Sequence, residues 1–194
     1  MKYDYENLAD EKLFELLSKD RDISNRAFNE LYKRYSGKIY SFLYRLLGNK
    51  FFIKDIYQDV FARVYRIGAE GKNKNLYNFR SYLYQTAKNA CLNHFKSEGR
   101  ISEVHTDFMI TYPEDTSNVG DTVELVRQAV SRLPENLKEV FILAEYEEMN
   151  YPAIAEMIGD TQVNVRVKIY RARKMLKDIV VSMRREMNNM VENE

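Results

Sequence analysis

The stretch from Tyr146 to Lys177, YEEMNYPAIAEMIGDTQVNVRVKIYRARKMLK, decides how the chain is organised. Asn150 can cap a short helix, and Pro152 is tolerated in that helix's first turn. Ile154, Ala155 and Ile158 give the helix one apolar face. Gly159 supplies the left-handed position that lets the chain turn sharply. Asp160 and Thr161 fill the turn, and Thr161 can cap the helix that follows. This second helix, over 162–177, puts Val165, Ile169, Ala172 and Leu176 on one stripe. At about 100° per residue, the opposite stripe holds Val163, Val167, Tyr170 and Lys174, flanked by Arg166, Arg173 and Lys177. The pattern is a helix-turn-helix. Its second helix can pack on its neighbour and offer a basic, partly aromatic face to a DNA major groove. A solvated amphipathic helix after a glycine turn carries the same periodicity, so that reading stays open at this point.

Outward from this stretch, composition sets the limits. The chain has 194 residues, 45% hydrophobic and 30% charged, with a net charge of +1. That suits a globular chain of one or two domains, not a disordered one. With a near-neutral balance, any basic patch for nucleic acid must be local and offset by acidic stretches elsewhere. The single cysteine, Cys91, excludes an intramolecular disulfide and fits a reducing compartment. Asp4, Glu6, Asp10 and Glu11 stand where a secretory leader would be apolar, and no apolar run reaches membrane-spanning length. The expectation is a cytoplasmic protein without membrane insertion. Three prolines, seven glycines and few alternating β-branched runs argue against sheets. The expected fold is all-α: two small helical domains joined by a flexible acidic linker.

The N-terminal domain, 1–97, reads as four helices. The first covers 10–19, with Leu13, Phe14, Leu16 and Leu17 as its apolar side. The second covers 24–47 and carries Phe28, Leu31, Tyr32, Tyr35, Ile39, Phe42, Leu43 and Leu46. The third covers 50–67, with Phe52, Ile56, Val60 and Val64 facing inward. Asp55 and Asp59 lie one turn apart on it. Such a pair could hold a metal or serve acid–base chemistry, or form a partner surface, which is the expectation here. The segment 68–78 reads as a glycine- and lysine-bearing loop suited to a phosphate chain. The fourth helix, 79–96, is capped by Asn78. Tyr82 and Tyr84 stand among Arg80, Lys88, Asn89, Asn93, His94 and Lys96, a mixture of rings, amides and cations suited to unpaired bases. The same tyrosines could instead be ordinary packing residues. His94 and His105 lack metal-ligand partners at usable spacing, so neither a metal nor a cofactor is expected at them. Residues 98–122 break every helical period and are rich in acid, which marks a linker. The C-terminal domain, 123–194, begins with the stripe Val123, Val126, Val130 and Leu133. It restarts at Leu133-Pro134-Glu135, with Leu137, Val140, Phe141 and Ala144 inside; after Leu176 the last helix can run on through Ile179, Val180 and Met183, with fraying over 188–194.

In order, the segments AFNELYKRY (27–35), IKDIYQDVFARVYR (53–66), FRSYLYQTAKNACLNHFKSEGR (79–100), LPENLKEVFILAEYEEMNYPAIAEMIG (133–159) and VRVKIYRARKMLK (165–177) resemble bacterial sigma factors, most closely the extracytoplasmic-function (ECF) group. The resemblance implies a protein without catalysis of its own that binds core RNA polymerase and directs promoter recognition and opening. It implies that Asp55, Gln58, Asp59 and Phe61 bind the clamp helices of the polymerase's largest subunit. It implies that Tyr82, Lys88, Asn89 and Asn93 face the −10 element as a single strand. Arg166, Val167, Tyr170, Arg171 and Lys174 would read or clamp the −35 duplex. An anti-sigma protein is implied as a further partner. Three positions depart from the family pattern. Ala144 stands where many relatives carry arginine. Val163-Asn164 and Val167 replace Gly-Thr and a serine, which favours thymine methyls in the groove. Asp160 replaces an apolar turn residue and would sit poorly beside phosphates. The rival reading is a helix-turn-helix regulator with a helical sensing or dimerisation domain; a hydrolase built on Asp55 and Asp59 is the more distant one.

Overall fold

A computed structural model describes residues 3–47, 51–71, 76–97 and 121–191. Among the described residues the secondary structure is helical throughout, and the chain divides into two compact units. The segments 48–50, 72–75 and 98–120, which include Gly48, Asn49, His105 and nearly all of the expected linker, lie outside the described residues.

The first unit holds α1 (Asp10–Leu16), α2 (Arg21–Leu47), α3 (Ile53–Ala69) and α4 (Phe79–Ser97), preceded by one 3₁₀ turn at Tyr5–Asn7. The expected core residues of α2 are buried at three- and four-residue steps: Leu31, Tyr35, Ile39, Phe42 and Leu43. They meet Leu13 and Phe14 of α1, Val60 and Val64 of α3, and Phe79, Leu83 and Tyr84 of α4. Cys91 is a small buried core residue. Arg34 fastens the N-terminal segment to α2. Its guanidinium donates to the carbonyls of Tyr5, Glu6 and Leu8 at 2.7–3.1 Å and to the carboxylates of Asp10 and Glu30 at 2.7 and 2.8 Å. A planar five-donor fork suits that many acceptors around one point. The Tyr35 hydroxyl donates to the same Asp10 carboxylate. Burial first, and then that carboxylate, push the Tyr35 pKa up.

One expectation fails in this unit, and one reading left open is decided. Gly68 and Ala69 belong to α3 and not to a loop. Gly68 is buried against α1, where an added Cβ would meet Leu17 Cδ1 at 2.5 Å and Leu17 Cβ at 2.9 Å. The glycine is there for close approach, not for a turn. Tyr84 is 0% exposed, its ring edge-on to Phe42 at 5.1 Å, so it is a packing residue and leaves the nucleic-acid candidates.

The second unit holds α5 (Asp121–Ser131), α6 (Glu135–Phe141), α7 (Tyr151–Ile158) and α8 (Gln162–Val191), with a π-helical stretch at Ile142–Tyr146 after α6. The helix α8 is longer than expected: it is still regular over 188–191. Its C-terminal half packs on α5, where Leu125, Ala129 and Met183 form a buried cluster with Leu176, Ile179 and Val180 against it. The core stripe of α5 therefore runs through Leu125 and Ala129, with Val126 only half-buried. Val130 and Leu133 are buried as expected, whereas Ala144 is half-buried. Among the described residues no helix is long and apolar enough to cross a membrane.

Candidate nucleic-acid interface

The turn between α7 and α8 is built as its residues dictate. Asn150 Oδ1 accepts from the Ala153 N–H at 2.9 Å. Gly159 has φ +67°, and the Asp160 N–H returns to the Ala155 carbonyl at 2.9 Å, the reverse-turn bond that closes a helix on a left-handed residue. Thr161 Oγ1 accepts from the Asn164 N–H at 3.1 Å and caps α8. Val165, Ile169 and Ala172 are buried against α6 and α7. On the other side Val163 is 70% and Tyr170 68% exposed, and Val167 is exposed beside them.

Five cations nearest the turn divide by whether they are paired within the protein; Lys177, Arg184 and Arg185, further along α8, are exposed as well. Arg166, Arg171 and Lys174 are exposed and have no ion-pair partner among the described residues. They form one face with Val163, Val167 and Tyr170, within about 140° of arc at 100° per residue. The second group is committed within the protein. Arg173, expected to flank the groove face, pairs with Glu145 of the π-helical stretch, its Nε donating at 3.1 Å. Lys168 reaches back across the turn to Asp160 Oδ2 at 2.7 Å. The same carboxylate's Oδ1 accepts from Asn164 Nδ2 and from the Thr161 N–H, both at 2.7 Å. These bonds, that of Lys168 foremost, hold the Asp160 pKa down to about 2. Asp160 is therefore not the bare anion that the sequence suggested; its charge is met by Lys168.

On α4, Tyr82, Gln85, Asn89, Asn93 and Lys96 share one stripe at helical spacing. Gln85, Asn89, Asn93 and Lys96 are exposed. Tyr82 is half-buried, its ring packed on Phe14 at 5.5 Å, and burial raises its pKa. Lys88 stands on the flank of this stripe, also half-buried. Asn78 Oδ1 caps the helix by accepting from the Ser81 N–H at 2.9 Å.

On α3, Asp55 and Gln58 are exposed and Asp59 is half-buried, all on one face. Asp59 accepts from Arg63 Nε at 2.6 Å, one turn along, while Asp55 has no ion-pair partner among the described residues. Phe61, which the resemblance groups with these three, is buried. Its ring lies 4.9 Å from Tyr32 and 5.1 Å from Tyr57 in an aromatic cluster between α2 and α3. Tyr57 donates to the Tyr32 hydroxyl at 2.8 Å, and together with Tyr40 and Gln58 they line an open groove that the helical periods did not reveal. No group of three or more metal-ligating side chains occurs among the described residues.

Comparison with known proteins adds the following. The family model Sigma-70 region 2 matches residues 31–101, and Sigma-70, region 4 matches residues 124–176, together more than half of the chain. The ECF RNA polymerase sigma-E factor of Haemophilus influenzae is 27% identical, with 89% of this chain and 96% of that protein covered. The RNA polymerase sigma factor YlaC of Bacillus subtilis is also 27% identical, covering 82% of this chain and 95% of that protein. Among solved structures, the sigma factor RpoE in complex with the anti-sigma factor NepR from Bartonella quintana superposes with a TM-score of 0.64 at 16% identity, over 79% of this chain and 96% of that one. CnrH in complex with the cytosolic domain of CnrY gives 0.63 at 17% identity, over 89% and 97%. At these identities the two structures speak for the fold.

Proposed function

This chain belongs to the ECF group of sigma-70-type RNA polymerase sigma factors, and from that premise we propose how its two units divide promoter recognition between them. The protein acts with core RNA polymerase on promoter DNA in transcription initiation. Domain limits of 1–97 and 123–194, with 98–122 as the linker, fit this division.

The acidic face of α3 docks on the polymerase, through Asp55, Gln58 and Asp59, with Phe61 supporting them from below. The stripe of α4 receives the −10 strand as it opens. Asn89 and Asn93 offer amides to base edges, Tyr82 a partly exposed ring and Lys88 a charge for the backbone. Capturing an unstacked base offsets the few kcal/mol that unstacking costs. The face of α8 lies on the −35 duplex. Arg166, Arg171 and Lys174 meet phosphates or guanine edges, while Val167 and Tyr170 make apolar contacts in the groove. The chain contributes promoter choice and no catalysis of its own. The sigma factor RpoE of Bartonella quintana is held by the anti-sigma factor NepR in its structure, and such a partner holding this chain inactive fits the same reading.

The observation that supports this most directly is the split among the cations of α8. Arg166, Arg171 and Lys174 on the groove face are left uncommitted, while Lys168 and Arg173 beside it are tied to Asp160 and Glu145.

The test is co-purification with core polymerase. The complex should form and should weaken in Asp59→Ala and Asp55→Ala variants. If it never forms while the protein alone binds duplex DNA tightly, the regulator reading replaces this one.

A further inference from the structure

Asn164 lies in the first turn of α8, is exposed, and shares a stripe with Val167 and Arg171 at three- and seven-residue spacing. In a helix-turn-helix it is the N-terminal residues of the second helix that reach base edges. The Asn164 side chain is not free to flip. Its Nδ2 donates to Asp160 Oδ1 at 2.7 Å, and Asp160 is anchored by the Thr161 N–H and by Lys168 Nζ, each also at 2.7 Å. An ionised carboxylate only accepts, so the amide must turn its NH₂ toward Asp160. The carbonyl Oδ1 and the second Nδ2 hydrogen are left for the groove.

We propose that Asn164 reads one adenine of the −35 duplex and that Asp160, braced by Lys168, is the positioning residue that fixes its amide. The inference rests on the sigma-factor reading. An adenine presents an amino donor at N6 beside an acceptor at N7, the complement of one carbonyl oxygen and one N–H. Guanine offers two acceptors on that edge and leaves the Asn164 oxygen facing another oxygen. With the amide held, a flipped alternative that would accept guanine or thymine is closed. Lys168 has a second effect: it meets the Asp160 charge, so the acid does not repel the nearby phosphates.

The experiment is quantitative selection of promoter duplexes randomised across the −35 block, using full-length protein bound to core polymerase. The wild type should prefer adenine at one position by on the order of tenfold. Asn164→Ala should flatten that position and leave the others as they were. This variant is expected to fold, because the cap bond to Thr161 uses the Asn164 backbone. Asp160→Ala should reduce the same preference and spare the others, a position-specific loss that a merely structural role would not give. If Asn164→Ala weakens all sequences equally, or changes none, the inference is overturned. If Asp160→Ala leaves the adenine preference whole, the positioning role is overturned. If the wild type itself enriches no −35 sequence, the functional reading falls and takes the inference with it.

Discussion

Replacing Gly159 by alanine isolates the backbone term in the helix-turn-helix. Gly159 sits at φ +67°, and an added Cβ would have no atom within 4 Å, so no steric clash contributes. What remains is the cost of holding an L-residue in the left-handed region, about 1–2 kcal/mol. The cost falls on the turn that joins α7 to α8, through the Asp160 N–H bond to Ala155 and the Gly159 N–H bond to Glu156. A loss of that size corresponds to a shift of roughly 5- to 30-fold in the equilibrium that opens the turn. Hydrogen exchange of the α7 amides, followed by mass spectrometry on the full chain, should show protection falling by that factor. Gly159→Asn should lose less, since asparagine enters the left-handed region more readily. Gly37→Ala is the control: it is also open to solvent, with nothing within 4 Å of an added Cβ, but lies inside a regular helix. There alanine should stabilise by about 0.5–1 kcal/mol. Unchanged α7 protection in Gly159→Ala, or equal damage from alanine and asparagine, would refute the reasoning.

Gly68→Ala should destabilise the first unit by about 1–3 kcal/mol, because the new methyl meets Leu17 Cβ at 2.9 Å and α1 must move off α3; urea denaturation read by tyrosine fluorescence checks it. The Asp160 carboxyl titrates at about 2, below the ordinary 3.8. A folded value below the unfolded one means that its stabilising effect is full above the unfolded value and is lost as pH falls through about 2. Carbon-detected NMR titration should find that low midpoint, and Lys168→Met should raise it toward the ordinary range. Arg166→Ala should weaken −35 recognition in footprinting while polymerase binding is retained. Asn89→Ala should slow promoter opening in a stopped-flow assay more than it weakens the closed complex; equal effects would mean that Asn89 only positions the duplex.

The parts legible in the sequence are those fixed by neighbours along the chain. Asn150, Gly159 and Thr161 each act within a few residues of themselves, and the structure places all three as their chemistry requires. The long period of α2 was readable for the same reason. The misreadings are tertiary. Gly68 signals a turn in sequence, but its cause is the side of Leu17, brought from another helix. Tyr84 was open between packing and base contact, and its place against Phe42 in the core decides for packing. Phe61 shares a motif with Asp59 but points into the rings of α2. The stripe of α5 shifted to Leu125 and Ala129 because α8 continues far enough to pack there. Asp160 looked like a liability because its partner, Lys168, lies eight residues on, across the turn. The π-helical stretch that carries Glu145, the partner of Arg173, left no periodic signal at all.

Run-off transcription with purified core polymerase on a library of promoter fragments addresses the central claim most directly. Adding this protein should start transcripts from a subset of fragments that share two short elements at a fixed separation, and core polymerase alone should start none of them. Transcripts that appear equally with and without the protein, or that share no such elements, would contradict the account.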